Sequence, residues 1–338
     1  MSGWLIVLGI LLGMALLIVV GLFACSYLLF RMVFDRRGRI CLEAENEETE
    51  ADSDRAMGQQ WLQERHAQLV QVQSQDGLTL SALYIPATTR PDEIAIVVHG
   101  YTDNGLGVTP HARLLQERTG CALLLPNLRA HGQSEGRYVG FGWPDRLDLL
   151  RWIDRAIALQ GAHCQVALFG ISMGASTVLM ASGERLPSQV RCIISDCGYS
   201  SAEEELSCQL HSLLHLPVFP FMPLVNVICR LVAGYAPSQA SAVKQVRKST
   251  LPILFIHGAA DTFVPTAMVH QLYAAAPGPK ELLLVPHAAH CESYQKDPDG
   301  YAQAVWTLWR ETMVPQAAAQ PQTGRVLPFG KVEQPSVS

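Results

Sequence analysis

The stretch CQVALFGISMGASTVLMASG, residues 164–183, passes from a continuous apolar run into a string of small residues, with Ser172 held between Gly170 and Gly174 at the change. A short apolar run bounded by glycine suits a strand buried on both faces, and the small residues after it suit the start of a helix. A serine on a sharp strand-to-helix turn needs small neighbours, because the backbone packs closely there while the hydroxyl projects outward. Ser172 is therefore a candidate nucleophile. The plainer reading, a small residue filling a tight turn, lacks a reason for the strand before it and the helix after it.

Working outward, similar apolar runs recur at 94–99, 121–126, 190–196, 252–257 and 281–286. Upstream, QLVQVQS and LTLSALYI alternate apolar and polar residues around the turn signal QDG and predict a hairpin over 68–85. Helix-like segments separate most of the runs. In WPDRLDLLRWIDRAIALQG, Pro144 can open a helix, and Leu147, Leu150, Ile153 and Ile157 predict its buried face. The expected fold class is α/β, three layers around a mostly parallel eight-stranded sheet. Ligands of such sheets sit beyond the carboxyl ends of the strands. The polar residues gather at those ends, in VVHGYTDN, NLRAHGQSEG, GISMG, SDCGYSS, HGAADTFVP and PHAAHCESY.

A serine hydroxyl needs a base to take its proton and a carboxylate to orient that base. Asp261, after the seventh strand, and His290, after the eighth, supply both in the order Ser, Asp, His. His287 is a competing base and reads as a loop residue. Asp196, ending the sixth strand, ranks second to Asp261 as the orienting acid and can instead cap the helix after it. Acyl transfer also needs N–H groups aimed at a developing oxyanion. The backbone N–H groups of Met173 and Tyr101 are the candidates, with the Tyr101 ring as a pocket wall.

Composition narrows the classes. The 338 residues are 49% hydrophobic and 16% charged, with a formal charge of −5, so no basic field invites nucleic acid as a partner. Nine cysteines at irregular spacing, Cys121, Cys164 and Cys192 among them within apolar runs, read as reduced thiols. No cysteine or histidine pair has zinc spacing, so no metal is expected.

Trp4 to Phe30 carries no charge and is long enough to cross a bilayer. Residues 1–31 are read as a transmembrane anchor, uncleaved because no basic residue precedes the apolar run. Arg31, Arg36, Arg37 and Arg39 follow it, which places the bulk of the chain on the cytoplasmic side of the cell membrane. Residues 32–67, with the acidic CLEAENEETEADSD, are expected as a linker or exposed helix, and 314–338 as a flexible tail.

Taken together, HGYTDN, NLRAHGQSEG, GISMGAS, SDCGYSS, IHGAADTFVP and AAHCESY resemble the α/β-hydrolase superfamily, and within it the membrane-anchored bacterial esterase-like or serine-aminopeptidase-like branch. The resemblance spans residues 68–313 and implies a triad of Ser172, Asp261 and His290 with no cofactor. Asn127 stands where many relatives have Asp, and His287 where a small residue is often seen. Within this domain about 200–249 reads as a small helical cap over the site, apolar and broken by Pro217, Pro220 and Pro223. Its Phe219, Phe221 and Met222 are equally open to pocket lining and to core packing. Glu203, Glu204 and Glu205 suit either a substrate amine or a capping box with Ser201, the latter being favoured. The expected function is cleavage of small or lipid-like carboxylic esters. An aminopeptidase, a thioesterase and a catalytically silent membrane-anchored binding protein are the alternatives.

Overall fold

The computed structural model describes residues 3–37 and 48–313. The expected tail at 314–338 and the acidic stretch up to 47, with Arg39, lie outside the described residues. Eight strands form one sheet: β1 (Gln68–Gln73), β2 (Thr79–Ile85), β3 (Arg90–Val98), β4 (Cys121–Pro126), β5 (Gln165–Ile171), β6 (Val190–Asp196), β7 (Ile253–Gly258) and β8 (Lys280–Val285). Their order is β1-β2-β4-β3-β5-β6-β7-β8. The hairpin pairs β1 with β2, and β2 pairs antiparallel with β4. From β4 onward every pairing is parallel.

The helices are α1 (Gly3–Phe34), α2 (Glu48–Glu64), α3 (Thr109–Thr119), α4 (Asp145–Gln160), α5 (Met173–Ala181), α6 (Ala202–Ser212), α7 (Val218–Ala233), α8 (Ala242–Val246), α9 (Ala267–Ala275), α10 (Ser293–Lys296) and α11 (Pro298–Thr312). The core lies in two layers, one on each face of the sheet. Strands β4, β5 and β7 are almost wholly buried, as continuous apolar runs in a parallel sheet must be. Burial pushes the thiols of Cys121 and Cys192 up to about 12, so both remain protonated and pack as small hydrophobes.

Helix α4 differs from its expected face. Leu149, Trp152, Ile153 and Ala156 are buried together with Asp145 and Asp148, while Leu147, Leu150 and Ile157 sit at the margin. Apolar spacing alone missed this because the buried face is anchored by carboxylates with fixed partners. Asp145 accepts from the Gly142 N–H at 2.8 Å, and Asp148 takes the Arg129 guanidinium at 2.7 and 2.8 Å.

The segment read as a linker contains α2, whose Trp61 and Leu62 are buried in the core layer that also holds α3 and α11. Helix α1 runs three residues past the expected anchor boundary. Its last turns dock on the domain through Ser26, Phe30 and Phe34, all buried. Phe34 contacts Phe141 and Tyr235, with centroids at 5.0 and 6.4 Å. Asp35 then accepts from Arg137 at 2.9 Å and pairs with Arg31 at 2.9 Å.

Candidate active site

Ser172 follows the last residue of β5 and precedes the first of α5, with φ 56° and ψ −117°. A non-glycine residue in that left-handed region is strained, and its persistence means that the surroundings dictate it. The glycines explain how. A Cβ on Gly170 would lie 2.2 Å from the Gly174 carbonyl oxygen, and one on Gly174 would lie 2.1 Å from that of Val98. The strand, the helix and the neighbouring β3 therefore approach closely enough to force the elbow. The Ser172 N–H donates to the Asp196 carbonyl at 2.8 Å, which ties the turn to the end of β6.

Residues far apart in the chain meet here. Ser172 Oγ lies 2.9 Å from His290 Nε2, and His290 Nδ1 lies 2.8 Å from Asp261 Oδ2. Asp261 is buried and its other oxygen accepts from the N–H groups of Phe263 and Val264 at 3.0 and 2.9 Å. Burial works to raise the Asp261 pKa, but bonds from His257 and His290 outweigh it and hold the group at about 2. Burial also works against a charged His290, while the Cys197 sulfur and the Asp261 carboxylate shift it above the usual histidine value. Burial keeps the Cys197 thiol itself protonated, so Asp261 is the partner that holds His290 basic.

The other sequence candidates separate clearly. Asp196 is buried and accepts from the Tyr301 hydroxyl at 2.8 Å, so its side chain neither caps a helix nor touches His290. Burial raises it to about 6. His287 is exposed, on a left-handed turn with φ 61°. Gly100 stands against Ser172, its would-be Cβ 3.5 Å from Ser172 Cβ, which brings the Tyr101 loop beside Ser172. His131 Nε2 lies 2.7 Å from the Tyr101 carbonyl, and the Tyr101 ring stacks on Phe141 at 5.3 Å. Met173 begins α5, so its N–H has no intrahelical acceptor.

In the cap, the Ser201 side chain accepts from the Glu204 N–H at 3.2 Å. The Glu204 carboxylate does not close the box but takes Ser200 Oγ and Gln271 Nε2. Phe221 and Met222 are buried with Leu210, whereas Phe219 is 77% exposed. The short α8 packs on α5 and α9, while Val225, Ile228 and Cys229 of α7 join the main core.

Three features were not drawn from the sequence. His257, in the IHG that ends β7, backs Asp261 with Nε2 3.3 Å from Oδ2. Glu205 is buried and one of its oxygens has no partner among the described residues. Burial pushes it to about 7 against the pull of Gln209 and His290. Finally, Cys197 Sγ and Cys291 Sγ are 3.4 Å apart beside His290, a set whose ligand atoms fall within 4.8 Å of one another. A metal ion there would have to take a His290 nitrogen from Ser172 or Asp261, so it would compete with the relay rather than serve it. Spacing rules read neighbours along the chain and cannot find a pair separated by 94 positions.

The family model for the alpha/beta hydrolase fold matches residues 96–219. The uncharacterized protein YqkD of Bacillus subtilis is 28% identical over 229 residues, covering 68% of this chain and 74% of its own. YfhR of Escherichia coli O157:H7 is 26% identical over 259 residues, covering 73% and 79%. Among solved structures, the esterase Pf2001 of Pyrococcus furiosus superposes with a TM-score of 0.61 at 20% identity, over 75% of this chain and 96% of that one. Est1E of Butyrivibrio proteoclasticus superposes with 0.55 at 20% identity, over 72% and 98%.

Proposed function

We propose that this chain, an α/β-hydrolase by fold, is a membrane-anchored serine hydrolase that cleaves carboxylic esters through an acyl-enzyme. The observation that carries the reading is the continuous relay from Ser172 Oγ through His290 to buried Asp261, at 2.9 and 2.8 Å, on a strained elbow. In the acylation step Ser172 Oγ attacks the ester carbonyl carbon while His290 Nε2 takes the hydroxyl proton. Negative charge collects on the carbonyl oxygen, facing the N–H groups of Met173 and Tyr101. The tetrahedral adduct collapses, the C–O bond to the alcohol breaks, and His290 returns its proton to the departing oxygen. Water then repeats the sequence on the acyl-serine and frees the acid. None of these steps calls for a cofactor.

The apolar helix α1 supports an anchored protein, and the arginines that follow the apolar run favour a cytoplasmic domain. An aminopeptidase is the second reading, favoured by the unpartnered oxygen of Glu205, which a substrate ammonium would compensate. A fluorophosphonate probe tests the main proposal. The full chain should be labelled at Ser172 and should hydrolyse p-nitrophenyl esters, with Ser172→Ala losing the label and roughly 10⁴-fold or more of the turnover. Preference for amino-acid p-nitroanilides would favour the aminopeptidase. A folded protein that neither labels nor turns over either substrate class would sink both readings.

A further inference from the structure

We propose that the tip of the α6–α7 hairpin, Leu213 to Phe219, dips into the same membrane leaflet that α1 enters, so that the catalytic crevice takes its ester directly from the bilayer. The proposal deepens the reading of an anchored serine hydrolase and rests on it. The level of the membrane follows from α1 itself. From Gly3 to Gly21 the helix is exposed on every side, a length of about 28 Å at about 1.5 Å per residue. That nearly matches the roughly 30 Å hydrocarbon core. Beginning at Leu22, and continuing through Ser26, Phe30 and Phe34, one face of the same helix is covered by the domain. The bilayer boundary therefore falls near Leu22.

At that level α1 meets the cap. Leu22 and Leu29 pack on a cluster of Leu210, Phe221 and Met222 from α6 and α7. At its other end α7 leads into Tyr235, which contacts Phe34. Helix α7 thus runs alongside α1 in the same direction, its first turn at the membrane boundary and its last against the domain. The hairpin tip must lie where α7 begins. There Leu213, Leu214, Val218 and Phe219 are 50, 43, 44 and 77% exposed. No Asp, Glu, Lys or Arg occurs from Leu206 to Cys229, an unusual composition for a helical hairpin projecting into water. Lipid is the occupant because this apolar surface continues directly onto the bare surface of α1, which has the composition of a membrane span.

The same surface reaches the catalytic residues. Gln209, one turn before Leu213, donates to the Phe263 carbonyl at 2.6 Å, and the half-exposed Phe263 ring lies 4.9 Å from that of His290. On the opposite side the Tyr101 hydroxyl donates to the Val33 carbonyl at 2.6 Å. The loop beside Ser172 is thereby held to the last turn of α1, about 17 Å along the helix from Leu22. The height of the crevice above the bilayer is set by a continuous helix, and α6 joins the tip to Phe263 through Gln209. The fitting substrate class is a long-chain acyl ester.

The test uses the full chain in vesicles of phosphatidylcholine and phosphatidylglycerol doped with a phosphatidylcholine that carries a diazirine in its acyl chain close to the headgroup. After illumination, peptide mapping should find adducts on 213–219 as well as on the exposed part of α1. The double variant Leu214→Asp, Phe219→Asp, checked for an unchanged melting curve, should lose the 213–219 adducts. It should also lose roughly tenfold or more of its turnover of a vesicle-embedded long-chain ester while keeping its rate on soluble p-nitrophenyl acetate. Adducts confined to α1, adducts on neither segment, or an equal loss on both esters would each overturn the proposal. Wild-type protein without esterase activity would instead defeat the hydrolase reading, while the adduct map would still decide whether the tip meets lipid.

Discussion

Replacing Asp261 by Asn tests the relay at its least exposed member. Asn is nearly the same size, and its carbonyl can keep accepting from the Phe263 and Val264 N–H groups now bonded to Oδ1 at 3.0 and 2.9 Å. That choice turns the amide NH₂ toward His290 Nδ1, where a carboxylate oxygen sits at 2.8 Å. Two donors cannot face each other, so His290 changes tautomer and points an N–H, rather than a lone pair, at Ser172. The expected fall in kcat is about 10²- to 10⁴-fold, with a smaller change in KM because the imidazolium forms only along the reaction. The pH profile supplies a second readout. Asp261 is held at about 2 and is ionised throughout the working range, so it stabilises protonated His290 and raises its pKa. With neutral His290 as the proposed base, kcat/KM should be lost as pH falls through that raised value, and the acid limb of the wild-type profile should lie above the ordinary 6.5. Removing the charge should move the limb down by about 1–3 units. Stopped assays of purified, folded variants across the acid and alkaline range measure both. A variant within about tenfold of wild type whose acid limb has not moved would refute the assignment of Asp261.

The elbow strain predicts an order of stabilities. Ser172→Ala keeps a Cβ at φ 56°, whereas Ser172→Gly removes it, so the glycine variant should be the more stable by about 1 kcal/mol in thermal melts, and an equal or reversed order would remove the strain argument. Glu205 carries a pH signature of the opposite sign to Asp261. Its folded pKa of about 7 lies above the unfolded value near 4.5, so the folded state is favoured by the proton below about 4.5 and loses that advantage as pH rises through 7. Glu205→Gln should therefore gain up to about 3 kcal/mol relative to wild type at about pH 8 and little at about pH 4. Denaturant melts at the two pH values decide this, and an equal gain at both would show that ionisation of Glu205 is not the cause.

Much of the site was legible because its parts are encoded locally. Each strand of the parallel sheet is an apolar run, each crevice loop follows such a run, and Gly170 and Gly174 mark a turn too tight for a Cβ. The order of Ser172, Asp261 and His290 along those loops then points to a relay before any distance is known. The buried face of α4 was not legible. Asp145 and Asp148 look like solvent-facing residues until Arg129 and the Gly142 N–H are brought to them. His257 had no reading, since a histidine inside an apolar strand is also an ordinary buried residue. Glu205 was weighed with its neighbours as part of a cap, because burial of one carboxylate in EEE depends on which side of α6 meets the domain.

Sequence alone determined the α/β architecture, the elbow at Ser172 and the apolar helix at the N-terminus, since periodicity and residue size act over a few neighbouring positions. Tertiary structure decided that Asp261 rather than Asp196 meets His290, that Cys197 lies beside Cys291, and that α1 ends against the Tyr101 loop and the cap. Those outcomes depend on strand order and helix docking, which bring together groups as far apart as the 118 positions between Ser172 and His290. A hydrogen bond has a range of about 3 Å, so no local pattern records which distant partner will satisfy it.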